Sequence, residues 1–403
     1  DAILEYISGQ KTLIDTYKAE GNTAENARKI IAVYEDITAL AAKHHMEPDV
    51  LYDYASFLYN QRQYQKSLEI AQRLEHWYAQ NPDTSAILRV ALDNLMGLDY
   101  SSLKDFSAAE KLQHEALKIC RELAKNDSDA YLPALATSCN NLALSLFNTG
   151  TFEEAEELFR EALKIYYSLA EKNPDAYLPN LAMNYDNLAN LLHAVGSFED
   201  SENMFREALK IFRELAEKNP DAYLPDFAIS CSNLASLLQD VHSFKEAEKL
   251  HREALKIRRD LAEKNPDVYL PSLATNYNNL AALLYDTGSF KKAESLHREA
   301  LKIRRQLAEK NPDAYLPDLA TSCNNLAALL HTFGSFKEAE KLYREAFEIL
   351  RELAKKTPKA YLSKLKNLCD KFTVLLEKTG RREEADNLRR EVAEFYQKQL
   401  AQQ

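Results

Sequence analysis

Residues 172–179 read Lys-Asn-Pro-Asp-Ala-Tyr-Leu-Pro, and this phrase returns along the chain at one fixed interval. Its first proline falls at Pro174, Pro220, Pro266, Pro312 and, in degraded form, Pro358, each 46 residues after the last. The frame reaches back to Ser128, inside Asn-Asp-Ser-Asp-Ala-Tyr-Leu-Pro. A strict period of this size signals a solenoid, in which each unit packs only on its neighbours. The product of such stacking is an extended surface rather than a closed pocket, and a surface suits binding better than chemistry.

Composition narrows the class. The 403 residues carry 51 Lys+Arg against 62 Asp+Glu, a net charge of −11, which argues against a phosphate-backbone ligand. Only 8 Gly and 12 Pro occur, as expected of a nearly all-helical chain. No apolar run approaches the length of a membrane span, and no secretory leader pattern is present. The chain opens at Asp1 rather than Met, which reads as a piece cut from a longer protein. Cys139, Cys231, Cys323 and Cys369 share one repeat position, while Cys120 has no mate in register. Stacked helices stand about 8–10 Å apart, too far for a disulfide, so the thiols are expected to be reduced and the protein cytoplasmic.

Residues 271–312 show the unit most clearly. Pro271 fits a first helical position. Leu273, Tyr277, Leu280, Ala281 and Leu284 then recur at spacings of three or four, one apolar helical stripe. Gly288 supplies a left-handed cap, Ser289 a cap for the next helix, and Phe290, Ala293, Leu296, Ala300, Ile303 and Leu307 a second, longer stripe. Asn311-Pro312 stops it. Each unit therefore reads as helix, tight turn, longer helix and loop. His242 replaces the turn glycine in one copy, which predicts a slightly strained turn.

Small residues recur with the large ones: Ala143, Ala155 and Ala162; Ala281, Ala293 and Ala300; Ala327, Ala339 and Ala346. The pattern Leu-Ala-x-x-Leu-x-x-x-Gly-x-Phe-x-x-Ala-x6-Ala, from about residue 90 to 395, resembles the tetratricopeptide repeat family. Here each unit exceeds the family's usual period of about 34 residues by roughly twelve, a long-repeat style similar to that of kinesin light chains. The resemblance implies an all-α fold: a right-handed superhelical α-solenoid of antiparallel helix pairs. The family's tryptophan position is taken by Cys139, Tyr185, Cys231, Tyr277, Cys323 and Cys369, expected to fill the gap between helices. Residues 1–48 read as a helical lead with a break near Asn22 or Thr23, residues 49–84 as a divergent repeat, 85–380 as the tandem array and 381–403 as a charged capping helix.

One constellation stands out. Asparagine precedes the Leu-Ala pair at Asn141, Asn187, Asn233, Asn279 and Asn325; Lys371 breaks the series. Asn94 joins it if the Ser101–Asp105 turn holds one extra residue. In the tetratricopeptide family this position faces a concave groove, where an asparagine amide clamps peptide backbone. It can equally bond a neighbouring helix. Six residues on, Phe147, His193, Gln239, Tyr285 and His331 are expected to line the same groove, with acid from Asp186, Asp240 and Asp286. A neutral-to-basic extended segment fits such a lining.

No phosphate loop, no dinucleotide fingerprint and no His-Glu-x-x-His occurs, and His44-His45 is a lone adjacent pair. The carboxylates stand beside Lys and Arg at helical spacing, as Glu294 does with Lys291 and Arg298, which is ordinary solvated surface. The expectation is a non-enzyme that needs no cofactor or metal: an interaction scaffold binding a peptide or partner protein, with self-association left open. The alternative is the sensing array of a larger bacterial effector or ATPase. RNA contact through Arg258-Arg259 and Arg304-Arg305 is the weakest reading, given the acidic total.

Overall fold

A computed structural model describes residues 2–19, 24–44, 48–81 and 85–401, which form eighteen α-helices with no strand among the described residues. In order they are α1 (Ala2–Ala19), α2 (Ala24–His44), α3 (Pro48–Asn60), α4 (Tyr64–Gln80), α5 (Ala86–Ser102) and α6 (Phe106–Asn126). The regular copies follow as α7 (Ser128–Thr149), α8 (Phe152–Lys172), α9 (Pro174–Ala194), α10 (Phe198–Lys218), α11 (Pro220–Asp240) and α12 (Phe244–Lys264). The last six are α13 (Pro266–Asp286), α14 (Phe290–Lys310), α15 (Pro312–Thr332), α16 (Phe336–Lys356), α17 (Pro358–Lys378) and α18 (Arg382–Ala401). The chain divides into two compact units, Asp1–Leu237 and Leu238–Gln403. Within each, consecutive helices pack on one another, α7 on α8 on α9 in the first and α13 on α14 on α15 in the second. This is an all-α solenoid. The expected break at Asn22 or Thr23 lies outside the described residues.

Close approach is the reason the alanines recur. Ala143, Ala155, Ala162, Ala281, Ala293, Ala300, Ala327, Ala339 and Ala346 have no exposed surface at all. A larger side chain at any of them would push two helices apart. Cys139, Cys231, Tyr277, Cys323 and Cys369 are buried between helices as expected, and Tyr185 is half-buried. All five cysteines are buried and free.

The repeat boundaries differ from the sequence reading. The helices of a pair are equally long, 21 residues in α13 and 21 in α14. From α6 onward no loop joins one pair to the next; the junction is a single residue. Asn173, Asn219 and Asn311 sit there with φ near −143° and accept a hydrogen bond from the backbone N–H of Ala176, Ala222 and Ala314 at 3.3–3.4 Å. Asp127 does the same for Ala130 at 3.1 Å. Pro266, not Pro271, takes the first helical position; Pro271 lies inside α13. Its missing N–H would have bonded the carbonyl of Asp267, which sits at the exposed helix start where water can replace it. The extra dozen residues of this long repeat therefore extend the first helix as well as the second.

The turns inside each pair are uniform. Gly150, Gly196, Gly288, Gly334 and Gly380 hold φ between 77° and 86°, and His242 adopts the same left-handed conformation at 62°. Ser289 makes no side-chain cap hydrogen bond; the turn is closed by Gly288 N–H to Tyr285 O and Ser289 N–H to Leu284 O, with Thr287 Oγ1 donating to Leu283 O at 3.1 Å.

Candidate functional site

The first helices of successive pairs touch one another along one face, α5 with α7, α7 with α9 and α15 with α17. Within each unit two rows of polar side chains run along this face, one residue apart. The Asn141 row is the one singled out from sequence. The other holds Asn140, Asp186, Ser232, Asn278 and Asn324.

Register assigns Asn94 to the second row. Lys104 holds φ 69° two residues before Phe106, as Gly150 does at 86° before Phe152. The interval is 46 residues, so the Ser101–Asp105 turn contains no extra residue. Asn94 stands 46 residues before Asn140, and Leu95 occupies the place expected of the ladder asparagine.

The hydrogen bonds confirm this register. Asn94 Nδ2 donates to Ser138 Oγ at 3.1 Å and Asn94 Oδ1 accepts from Asn141 Nδ2 at 3.3 Å. One repeat on, Asn140 Oδ1 accepts from Asn184 Nδ2 at 3.2 Å and Asn187 Nδ2 at 2.9 Å. Next, the Asp186 carboxylate accepts from Ser230 Oγ at 3.2 Å and from the Asn233 side chain. In the second unit Asn278 Nδ2 donates to Ser322 Oγ at 2.9 Å, and its Oδ1 meets His297 Nδ1 at 2.8 Å. Asn94, Asn140, Asp186 and Asn278 thus tie their helices to the next first helix, whereas Ser232 Oγ donates to Ala228 O and Asn324 Nδ2 to Asn325 Oδ1 within their own helices.

This linkage changes the expected chemistry of the face. Asp186 is only 6 % exposed, so it is a buried tie rather than a groove-lining acid. Burial pushes its carboxyl up to about 7, opposed by the hydrogen bonds from Ser230 and Asn233. Asp240 and Asp286 are exposed, and Asp286 accepts from Gln239 Nε2 at 2.6 Å. Asn187, Asn233, Asn279 and Asn325 are half-buried while Asn141 is buried. Asn187 uses one N–H toward Asn140, and Asn325 Oδ1 receives Asn324 Nδ2 at 3.4 Å. Asn279 makes no side-chain hydrogen bond among the described residues.

His193, Tyr285 and His331 stand at the ends of their helices, against the phenylalanine that opens the next. The ring centroids of His193 and Phe198 are 5.8 Å apart, of Tyr285 and Phe290 5.5 Å, and of His331 and Phe336 5.9 Å. They form the turn edge of each pair. Between α15 and α17 a pocket of 280 Å³ opens, lined by Thr321, Asn324, Leu350, Ser363, Lys364 and Asn367.

The arginine doublets serve the packing. Arg304 is 5 % exposed; its guanidinium donates to Thr275 Oγ1 at 2.6 Å and pairs with Asp318 at 2.8 Å. Arg305 pairs with Glu345 at 2.6 Å, and Arg259 donates to Tyr277 Oη at 2.9 Å. Among the described residues no cluster of three or more His, Cys, Asp or Glu has metal-binding geometry. No helix among them is long and apolar enough to cross a membrane.

The chain belongs to the tetratricopeptide repeat family, whose model matches residues 84–168, 134–214, 226–306 and 272–352. No curated protein sequence matches it. Among solved structures, BtubC (BKLC) from P. vanneervenii is 28% identical with a TM-score of 0.50, over 62% of this chain and 92% of that one. The apo quorum sensor NprR from B. thuringiensis aligns over 97% of this chain and 99% of its own, at 16% identity and a TM-score of 0.56. A Rap protein complexed with Competence and Sporulation Factor aligns over 100% and 99%, at 15% identity and a TM-score of 0.55. The last two likenesses are of fold.

Proposed function

We propose that this protein is a non-catalytic scaffold in which the first helices of a unit hold an extended peptide, or an extended segment of a partner protein, along the face they line. The supporting observation is the half-buried amides at one repeat position, Asn187 and Asn233 in the first unit and Asn279 and Asn325 in the second, with Asn187 and Asn279 beside the ties made by Asp186 and Asn278. An amide offers one acceptor and two donors to a passing peptide bond, and a rigid backing spares the entropy of ordering it. Asn141 is the buried end of this line, and Asn94 belongs to its support. His193, Gln239, Tyr285 and His331 border the line at the turn edge, where they would meet ligand side chains. The pocket between α15 and α17 gives one such side chain a place to enter.

A regulatory variant of this reading has its own support. Solved structures that align over nearly the whole chain include a quorum sensor and a Rap protein complexed with Competence and Sporulation Factor. A peptide signal read by this array, on behalf of an effector elsewhere in the same protein, fits the same face.

The test begins with polypeptides captured from the native lysate, mapped to a minimal synthetic peptide. Asn279→Ala is the decisive variant, since Asn279 has no internal bond to lose, whereas Asn187→Ala also cuts the tie to Asn140. Affinity for the peptide should fall about tenfold in Asn279→Ala with the melting temperature unchanged. Equal affinity in Asn279→Ala and in the triple Asn187, Asn233, Asn279 alanine variant would remove this face from the mechanism.

A further inference from the structure

The turns that lead into α8, α10, α12, α14 and α16 each bring a phenylalanine to the edge of the stack, and the charge beside that ring reverses between the two units. In the first unit α8 opens Phe152-Glu153-Glu154 and α10 opens Phe198-Glu199-Asp200. In the second unit α12 opens Phe244-Lys245-Glu246, α14 Phe290-Lys291-Lys292 and α16 Phe336-Lys337-Glu338, where Glu246 and Glu338 each already have a partner within the chain. The four carboxylates and four lysines are all exposed. Among the described residues the lysines, Glu153, Glu154 and Glu199 have no ion-pair partner, and Asp200 accepts only from Ser197 Oγ at 3.0 Å.

The same reversal holds for the units as wholes. Residues 1–237 carry 21 Lys+Arg against 37 Asp+Glu, a net −16; residues 238–403 carry 30 against 25, a net +5. The total of −11 conceals this polarity.

The helices do not need the lysines. Acid at a helix start is favoured by the macrodipole, and lysine there opposes it. The first unit obeys that preference at α8 and α10. In the second, α14 has no acid in its first turn at all, and Glu338 of α16 is already paired with Arg298. Three of the five rings beside the charges are open to solvent, Phe152 at 38 % exposed, Phe198 at 43 % and Phe290 at 39 %, with Phe333 at 48 % packed 4.6 Å from Phe290, while Phe244 and Phe336 are half-buried.

We propose that the chain self-associates by setting the acidic phenylalanine edge of the first unit of one molecule against the basic phenylalanine edge of the second unit of another. Both edges repeat at 46 residues, one phenylalanine and one charged pair or single charge per step. Two copies therefore bring ring rows and opposite charges together in register. An unrelated acidic segment would match the charge without matching the period, which is why a second copy is the occupant assigned.

Sedimentation of the full chain tests this. At about 50 mM salt a dimer or larger species is expected, and the apparent dissociation constant should weaken at least about tenfold at about 500 mM. Two charge reversals then locate the surface: Lys245→Glu with Lys291→Glu, Lys292→Glu and Lys337→Glu, and Glu153→Lys with Glu154→Lys, Glu199→Lys and Asp200→Lys. Each alone should be monomeric, and an equimolar mixture of the two should associate, because each supplies the edge the other lacks. Should the second set fail to fold, the same four acids changed to their amides should give a folded monomer. Asn279→Ala should associate like the wild type, which keeps this outcome separate from that of the peptide face. A chain monomeric at low salt, or an association that survives either reversal, overturns the proposal.

Discussion

At His242 a single backbone angle carries a measurable cost. Five of the regular turns use glycine at this position, and an L side chain in the left-handed region costs about 1–2 kcal/mol. His242→Gly should raise stability by about 1 kcal/mol, less what is lost with the 5.4 Å ring contact to Phe244, read as a shifted midpoint in denaturant. Histidine is also misplaced in the core. His251 and His297 are 0 % and 5 % exposed, at a position filled by Phe159 and Phe205 in other copies. Burial holds both imidazoles down, to about 4, with Arg258 adding to the effect at His251. An unfolded histidine titrates near about 6.5. Above that pH both states are neutral and the fold keeps its full stability; as pH falls from 6.5 toward 4 the unfolded chain binds protons that the folded chain refuses, and stability drains away. His251→Phe should remove one of these two contributions, so its advantage over the wild type should be larger at pH 5 than at pH 7.5 in parallel melts. An unchanged gap would show that the ring is not buried neutral.

Between elements, the decisive feature is the one-residue junction. Asn311 both ends α14 and caps α15, accepting the N–H of Ala314 at 3.3 Å while Pro312 takes the first helical position. Asn311→Ala should cost about 1 kcal/mol and Asn311→Gly only a few tenths, since glycine tolerates the cap conformation without supplying the oxygen. Equal losses from both would mean that the side chain does nothing there. The ion pairs that link second helices at 40-residue intervals, such as Arg121–Glu161 and Arg305–Glu345, are partly exposed and should each matter much less. The helices are held together by the fully buried alanines and leucines, and the tie row adds direction to that packing.

For the molecule as a whole, five buried thiols give a direct readout of integrity. Burial raises Cys139 and Cys323 to about 12 and Cys369 to about 11, so thiolate is scarce at neutral pH. An aromatic disulfide reagent should label none of the five rapidly in the native protein and all five in denaturant. Because repeats contact only their neighbours, labelling during gradual unfolding should be staggered along the chain rather than simultaneous. Synchronous labelling would indicate one cooperative block.

Much of this was legible in the chain. The period of 46, the left-handed glycines and the alanine pairs specify paired helices stacked in a row, because each is a local steric requirement repeated in every copy. The family follows from the same residues, and the ladder asparagines could be seen as a series. What could not be read was partnership. Asn94 aligns with Asn141 only if the Ser101–Asp105 turn gains a residue, and Phe106 and Phe152, 46 apart, set a frame without one. Asp186 looked like groove acid and is a buried tie, and the arginine doublets looked available and are spent on Asp318, Glu345 and Tyr277. The sequence by itself determined the elements and their order, since helix, turn and cap are chosen within a few residues. Only the tertiary structure decided which polar groups face a neighbour and which face outward, because that choice depends on atoms 44 to 47 residues away meeting within hydrogen-bond distance.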